Sequence, residues 1–297
     1  MEMETQYKTR TKVLAMMGLL LATMIWGGSF VVMKNSVDVL TPTFLLALRF
    51  TLAVITMVLV FHKKLSHLNR ESLRCGVILG ILLGLSYLFQ TYGIKYTTGS
   101  KNAFITALYV IIVPFFNWFI SKKKPSCKNL IAAVIAVTGL GFLTLEGDAG
   151  INIGDIYTLG GSFCFALHMI YIDRYTEKHD PIFLTMVQLA VVAVLNWVLV
   201  PVFDGAQGYD FGALANMDLI VGLLYLSIFC TTIAFALQNV GQKYLSANTS
   251  SLLLSTESVF GTICSVLFLH EVLSGKMILG CAFMFLALII SELRFKK

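Results

Sequence analysis

The chain has 297 residues, of which 57% are hydrophobic and 13% are charged. A soluble domain carries roughly a quarter charged residues, so this composition excludes an ordinary soluble protein and indicates a membrane protein. The formal net charge of +6 follows from 22 basic and 16 acidic residues. The placement of the basic residues, described below, accounts for this charge without a nucleic-acid partner.

Ten apolar runs are long enough to cross a bilayer, which takes about 17–25 residues per helix. The first run is longer than the core of a signal peptide and has no small-residue cleavage site after it, so we expect a retained helix. The fold class predicted is an all-α integral membrane protein with ten transmembrane helices. In chain order the runs lie near residues 13–33, 43–61, 75–93, 102–120, 129–146, 155–173, 182–203, 218–239, 250–269 and 275–293.

The basic residues of the short loops are distributed unequally. If both termini lie on one side, that side holds 17 Lys and Arg residues and the other holds four, with Arg49 inside a helix. Cytoplasmic loops of membrane proteins carry the excess of Lys and Arg. We therefore expect a multi-pass protein of the plasma (inner) membrane with both termini in the cytoplasm.

The two halves of the chain resemble each other in sequence. Three segments of the first half recur in the same order in the second half, and the number of residues between matching positions grows steadily along the chain. We therefore predict two five-helix repeats, residues 1–147 and 148–297. Five spans is an odd number, so the two repeats must insert with opposite orientation, an arrangement typical of secondary transporters that work by alternating access. The matching segments are 27–30 with 160–163, 42–45 with 181–184, and 90–96 with 238–244.

Several motifs resemble those of the drug/metabolite transporter superfamily, in its EamA-type branch. They are Trp26-Gly27-Gly28-Ser29-Phe30, Arg49-Phe50, Asn102 to Thr106 followed by Pro114, Glu257-Ser258-Val259 and Leu269-His270-Glu271. The resemblance implies inverted repeats around a central cavity and a carrier of small organic metabolites. Ser258 stands where the family has proline, so we expect a weaker kink in the ninth helix. His270 replaces a glycine, which we expect to matter less.

Glu257 is the foremost candidate for a substrate-binding or coupling residue. A charge in hydrocarbon costs at least ~2.5–3.5 kcal/mol, so an intramembrane carboxylate is a functional candidate by default. Glu257 can exchange a proton during transport or pair with a substrate amine, and the alternative is a protonated, purely structural acid. Its repeat mate is Tyr109, 148 residues earlier.

Other polar residues fall inside the predicted helices. Asn102, Thr106 and Tyr109 form one polar stripe, which either lines a cavity or bonds to a neighbouring helix. The repeat mates Gln90 and Gln238 either bind substrate or, slightly favoured, hydrogen-bond the backbone of a hairpin.

His168 and Tyr171, one turn apart on the sixth helix, form another candidate pair. His168 either relays protons or binds a substrate carboxylate, or is a buried neutral histidine. Trp26 fits a packed core better than a ring that stacks on substrate. Arg49 lies about six residues below the outer surface, where it snorkels outward, anchors the fold or, less favoured, contacts a ligand.

No basic residue is predicted near the membrane midplane, so neutral, zwitterionic or cationic solutes are favoured over phosphorylated ones. Amino acids and amines come first, exported by alternating access with protons as a candidate coupling ion. The alternative is a facilitative uptake carrier for nucleosides or other metabolites. An intramembrane enzyme or a channel is much less favoured, because the zinc-protease, nucleophile-elbow and ATP-binding motifs are missing. We expect no cofactor or metal, and the six cysteines are interpreted as packing residues.

Overall fold

The computed structural model of the chain describes residues 2–122, 127–144, 152–205 and 208–292. Within these ranges the regular secondary structure is entirely helical, and eight segments are long and apolar enough to cross a membrane. Two further apolar helices of 18 residues each bring the spans to ten. The protein is an all-α integral membrane protein, as predicted.

The first five spans are formed by six helices, because the fourth span is divided. Pro42 occupies the first turn of the second helix, where its missing N–H costs no hydrogen bond. Asn69 and Ser72 form a capping box that starts the third. The helices are α1 (Glu2–Val37), α2 (Pro42–Phe61), α3 (Arg70–Tyr96), α4a (Gly99–Thr106), α4b (Tyr109–Ser121) and α5 (Cys127–Thr144).

The second five spans repeat this plan. Pro181 occupies the first turn of the seventh span, and the Asp180 side chain accepts hydrogen bonds from the next two free backbone N–H groups. The eighth span, α8 (Met217–Gln242), contains π-helical turns at Tyr225–Ile233. The remaining helices are α6 (Ile153–Thr176), α7 (Pro181–Phe203), α9a (Ala247–Ser255), α9b (Glu257–Phe268) and α10 (Gly275–Glu292).

The helices of the two divided spans begin at corresponding residues. The first residues of α4a and α9a are 148 positions apart, and so are those of α4b and α9b. Thr98 and Ser246, also 148 apart, cap α4a and α9a by accepting a bond from the backbone N–H three residues on. The sequence repeat is therefore a repeat of local structure. The predicted boundary between the repeats, after residue 147, lies outside the described residues.

The division of these spans corrects the prediction of two continuous helices. Pro114 lies inside α4b, whereas the hydrogen-bonding pattern changes earlier, where Leu108 N–H donates to Ile105 C=O three residues back. In the ninth span the break falls at Thr256, although Ser258 replaces the proline expected to cause a kink. The hydroxyls of Ser255, Thr256 and Ser258 each donate to a carbonyl three residues back, which competes with regular helical bonding.

Glycines on α3 allow the two repeats to approach closely. Gly76, Gly80 and Gly84 recur every four residues and therefore share one face of the helix. A Cβ added to Gly76 would lie 2.6 Å from Cβ of Val187, and one added to Gly80 would lie 2.5 Å from Cβ of Val191, both on α7. Small residues at this spacing let membrane helices pack at short distance.

The spans pack so that each repeat contacts the other along most of its length. α3 lies against α6 and α7, α2 lies against α7, and α1 lies against α8 and α9b. α5 packs mainly on α10, where the rings of Phe142 and Phe283 stack at 5.7 Å between centroids. The helices that remain, α4 and α9, complete the walls of a central cavity.

Candidate functional site

The central cavity is surrounded by residues of both repeats. The space between these residues that no atom occupies is about 430 Å³, counting the part that opens to solvent. Its walls come from α1, α3, α4, α6, α8 and α9. The lining residues are Trp26, Ser29, Phe30, Tyr87, Gln90, Thr106, Tyr109, Phe165, Met169, Phe235, Gln238, Leu254 and Glu257.

Glu257 provides the carboxylate of this lining, and its side chain is only 6% exposed. The hydroxyl of Tyr109 donates to Glu257 Oε1 over 3.2 Å. The two residues are repeat mates, and each is the first residue of the second half of a divided span. Symmetry-related residues touch only near the symmetry axis, so this pair marks the axis between the repeats. Each lies about 15 Å from the start of its span at 1.5 Å per residue.

The two predicted glutamines also line the cavity, but their hydrogen bonds differ. Gln90 Nε2 donates to Thr106 Oγ1 at 3.1 Å. Gln238 Nε2 donates instead to Gln242 Oε1 at 3.0 Å, since the repeat mate of Thr106 is the apolar Leu254. Gln238 Oε1 is buried and has no hydrogen-bond partner among the described residues. The cavity therefore offers amide and hydroxyl groups that are arranged asymmetrically.

Aromatic rings form the remaining walls. Trp26 is 8% exposed, its Nε1 donates to the Cys230 carbonyl at 2.7 Å, and its ring lies 5.2 Å from that of Phe235. The ring of Tyr87 packs edge-on against Phe165 at 5.6 Å and Phe235 at 5.9 Å. Trp26 thus belongs to the packed core and also lines the cavity, while stacking of its ring on a substrate stays a prediction.

Three of the nine predicted site residues lie outside the cavity lining. The Asn102 amide donates to Thr158 Oγ1 and the Gln90 carbonyl, so only Thr106 and Tyr109 of the predicted polar stripe line the cavity. His168 Nε2 hydrogen-bonds Gln188 Oε1 at 2.8 Å within the core. Tyr171 packs against Tyr175 at 5.5 Å in a separate apolar cluster. Binding or coupling roles for all nine residues remain predictions.

Several lining residues, most of them aromatic, were not predicted from the sequence. Tyr87 precedes Gln90 by three positions and Phe235 precedes Gln238 by three, a spacing that places each pair on one helix face. Helical spacing from a residue already under consideration was therefore the available signal. It could not separate a cavity wall from a packed core, because both are apolar and aromatic.

Comparison with known proteins identifies the family. The profile described as "EamA-like transporter family" matches residues 13–145 and 152–293. The chain belongs to this family. It is accordingly a membrane transporter of the drug/metabolite transporter superfamily, as the motifs suggested, and a transporter of this kind sits in a lipid bilayer and binds small-molecule substrates.

Relatives with curated names are mostly described as uncharacterized transporters. One from Archaeoglobus fulgidus is 31% identical over 278 residues, covering 94% of this chain and 85% of the relative. The threonine/homoserine exporter RhtA of Salmonella typhimurium is 26% identical over 167 residues, covering 54% and 53%. A protein of known crystal structure matches with a TM-score of 0.70 at 16% identity, covering 94% of this chain and 96% of that one, which concerns the fold alone.

Proposed function

We propose that this transporter exports small solutes that carry an ammonium group, amino acids and amines first, by alternating access between its two repeats. Glu257 is the residue that receives the ammonium group or a coupling proton. The membrane is the plasma membrane, and both termini lie in the cytoplasm.

The observation that carries the proposal is the contact between Tyr109 and Glu257 in the cavity wall. A buried carboxylate is retained in a membrane protein at a considerable free-energy cost, which indicates a function. At the axis between two inverted repeats it stays central while the repeats exchange conformations. A single carboxylate beside hydroxyl, amide and aromatic groups suits a cation or zwitterion, since the aromatic faces attract ammonium groups as well.

The name of one relative supports the substrate class and the direction. RhtA is a threonine/homoserine exporter and shares 26% of residues over about half of this chain. The excess of Lys and Arg in the loops on one side, 17 against four, supports cytoplasmic termini.

The test is counterflow into proteoliposomes that contain the purified protein, with a panel of radiolabelled amino acids and amines led by L-threonine. We expect Glu257→Gln to lower transport about 30-fold or more, because a charge-assisted hydrogen bond of ~2 kcal/mol or above is lost. Glu71→Gln, on the exposed Glu71 at the start of α3, is the control and should transport like the parent.

A pH gradient separates the two roles of Glu257. If protons are exchanged for solute, vesicles with an acidic lumen should accumulate the solute through the parent protein and not through Glu257→Gln. Solute that equilibrates without responding to the gradient would indicate a facilitative carrier. Equal transport by parent and Glu257→Gln would assign Glu257 a purely structural role and overturn the proposal.

A further inference from the structure

Arg49 is a cation buried within the membrane-spanning part of α2, with 1% of its side chain exposed. Its Nε donates to Thr231 Oγ1 at 2.7 Å, and its Nη2 donates to the Tyr87 hydroxyl at 3.3 Å. Nη1 lies 3.4 Å from Met33 Sδ. Its Cζ lies 4.7 Å from the centre of the Tyr87 ring and 5.5 Å from that of Phe50. The side chain therefore does not snorkel outward but reaches the wall of the cavity.

The guanidinium of Arg49 forms no ion pair among the described residues. No carboxylate of the described residues lies within 4 Å of the guanidinium, which is held by a hydroxyl, a phenol and aromatic faces. The architecture does not require this charge, since the repeat mate Gln188 is neutral. A buried cation without a carboxylate partner is costly and creates a positive potential around it, which favours an anionic group at the nearest open position.

Tyr87 connects this cation to the cavity. A guanidinium only donates hydrogen bonds, so the Tyr87 oxygen accepts from Arg49 and its own proton stays free to be donated. Tyr87 lines the cavity, and among the described residues no acceptor is found for its hydroxyl. A hydroxyl that accepts from a cation is polarised and becomes a better donor.

We propose that Tyr87, polarised by Arg49, recognises the carboxylate of the transported solute, while Glu257 faces its ammonium group. The cavity then prefers a zwitterion to the amine that lacks the carboxylate. This inference rests on the proposed function and refines it from ammonium-bearing solutes in general to amino acids. Tyr87 contacts the solute, and Arg49 acts through Tyr87.

The test compares two probes that differ only in the carboxylate: L-threonine and 1-amino-2-propanol, the amine left when that carboxylate is removed. Dissociation constants are measured on the purified full-length protein in detergent. We expect Tyr87→Phe to weaken L-threonine binding about tenfold, the loss of one charge-assisted hydrogen bond. Binding of 1-amino-2-propanol should stay within about twofold, since it makes no use of the hydroxyl.

Two further variants sharpen the result. Tyr96→Phe, on the exposed outer end of the same helix, should bind both probes like the parent. Arg49→Met, which removes the charge but keeps the length, should reduce the ratio of the two affinities as Tyr87→Phe does. If Arg49→Met does not fold, the result for Tyr87→Phe is sufficient to test the inference. This substitution removes only the hydroxyl group and keeps the packed aromatic ring.

The outcomes separate this inference from the proposed function. If the parent binds both probes and Tyr87→Phe weakens both equally or neither, the inference is overturned and the proposed function stands. If the parent binds neither probe and transports no amino acid or amine of the panel, the inference and the proposed function are both overturned. A selective loss of L-threonine binding supports both.

Discussion

At the scale of single residues, the turn after α9b explains a substitution that the sequence analysis expected to matter little. His270 has a φ of 54°, in the left-handed region that favours glycine, the residue of the family motif at this position. The turn presents Glu271, whose carboxylate accepts hydrogen bonds from the backbone N–H groups of Gly99 at 2.7 Å and Ser100 at 3.2 Å. Gly99 and Ser100 begin α4a, and a negative charge at the start of a helix is also favoured by the helix dipole.

His270→Gly should therefore stabilise the protein. A non-glycine residue in the left-handed region costs roughly 1–2 kcal/mol, and the greater backbone freedom of unfolded glycine offsets part of the gain. We expect a net gain of about 0.5–1 kcal/mol, seen as a higher apparent melting temperature in detergent. His62→Gly is the matched control: its φ of −49° is helical, so glycine should lower the melting temperature. A lower melting temperature for His270→Gly would mean that the histidine ring contributes a contact that outweighs the strain.

At the scale of elements, two glycines in equivalent positions face very different neighbours. A Cβ on Gly27 of α1 would overlap Cβ of Phe260 on α9b and lie 2.9 Å from the carbonyl carbon of that residue. A Cβ on its repeat mate, Gly160 of α6, would meet the ring of Phe89 at 3.6 Å, an ordinary contact. A side chain at Gly27 would thus meet the backbone of α9b, whereas one at Gly160 would meet only an aromatic ring.

The contrast predicts opposite effects of the same substitution in the two repeats. Gly27→Ala should destabilise the protein by about 1–3 kcal/mol, because a backbone atom cannot move aside as a side-chain tip can. Gly160→Ala should be neutral or slightly stabilising, since alanine favours a helix. Thermal unfolding of both variants in the same detergent checks the prediction. Equal effects would show that α1 and α9b can separate freely at Gly27.

The π-helical turns of α8 were not predictable from the pattern of apolar residues. Thr231 lies in these turns, and its hydroxyl donates to the Leu226 carbonyl five residues back while accepting from Arg49. A π-turn inserts an extra residue and rotates the side chains that follow, which is why such turns recur at functional sites. Apolar periodicity averages over such a local change.

At the scale of the whole molecule, the sequence predicted the ten spans and the equivalence of Tyr109 and Glu257, because apolar length and repeated motifs are local properties of the chain. It did not predict which polar residues share a cavity. Asn102 and His168 are as polar as Gln90, but they are fully buried between helices, where they bond to Thr158 and Gln188 outside the cavity. Arg49 was assigned to the surface region from its depth alone, whereas the direction of its side chain depends on Tyr87 and Thr231 from other helices.

The inverted relation of the two repeats makes a prediction about loops in equivalent positions. Ser66 follows the second span of the first repeat, and Ala215 follows the second span of the second; both are exposed. If the repeats insert with opposite orientation and the termini are cytoplasmic, Ser66 faces the cytoplasm and Ala215 the outside. In a variant without the native cysteines, a membrane-impermeant maleimide added to intact cells should label Ala215→Cys and not Ser66→Cys, and permeabilisation should expose both. Labelling of Ser66→Cys alone would show that the protein has the opposite orientation in the membrane. The proposed direction of transport would then be reversed. Labelling of both in intact cells would contradict the inversion itself, because equivalent loops of inverted repeats must lie on opposite sides.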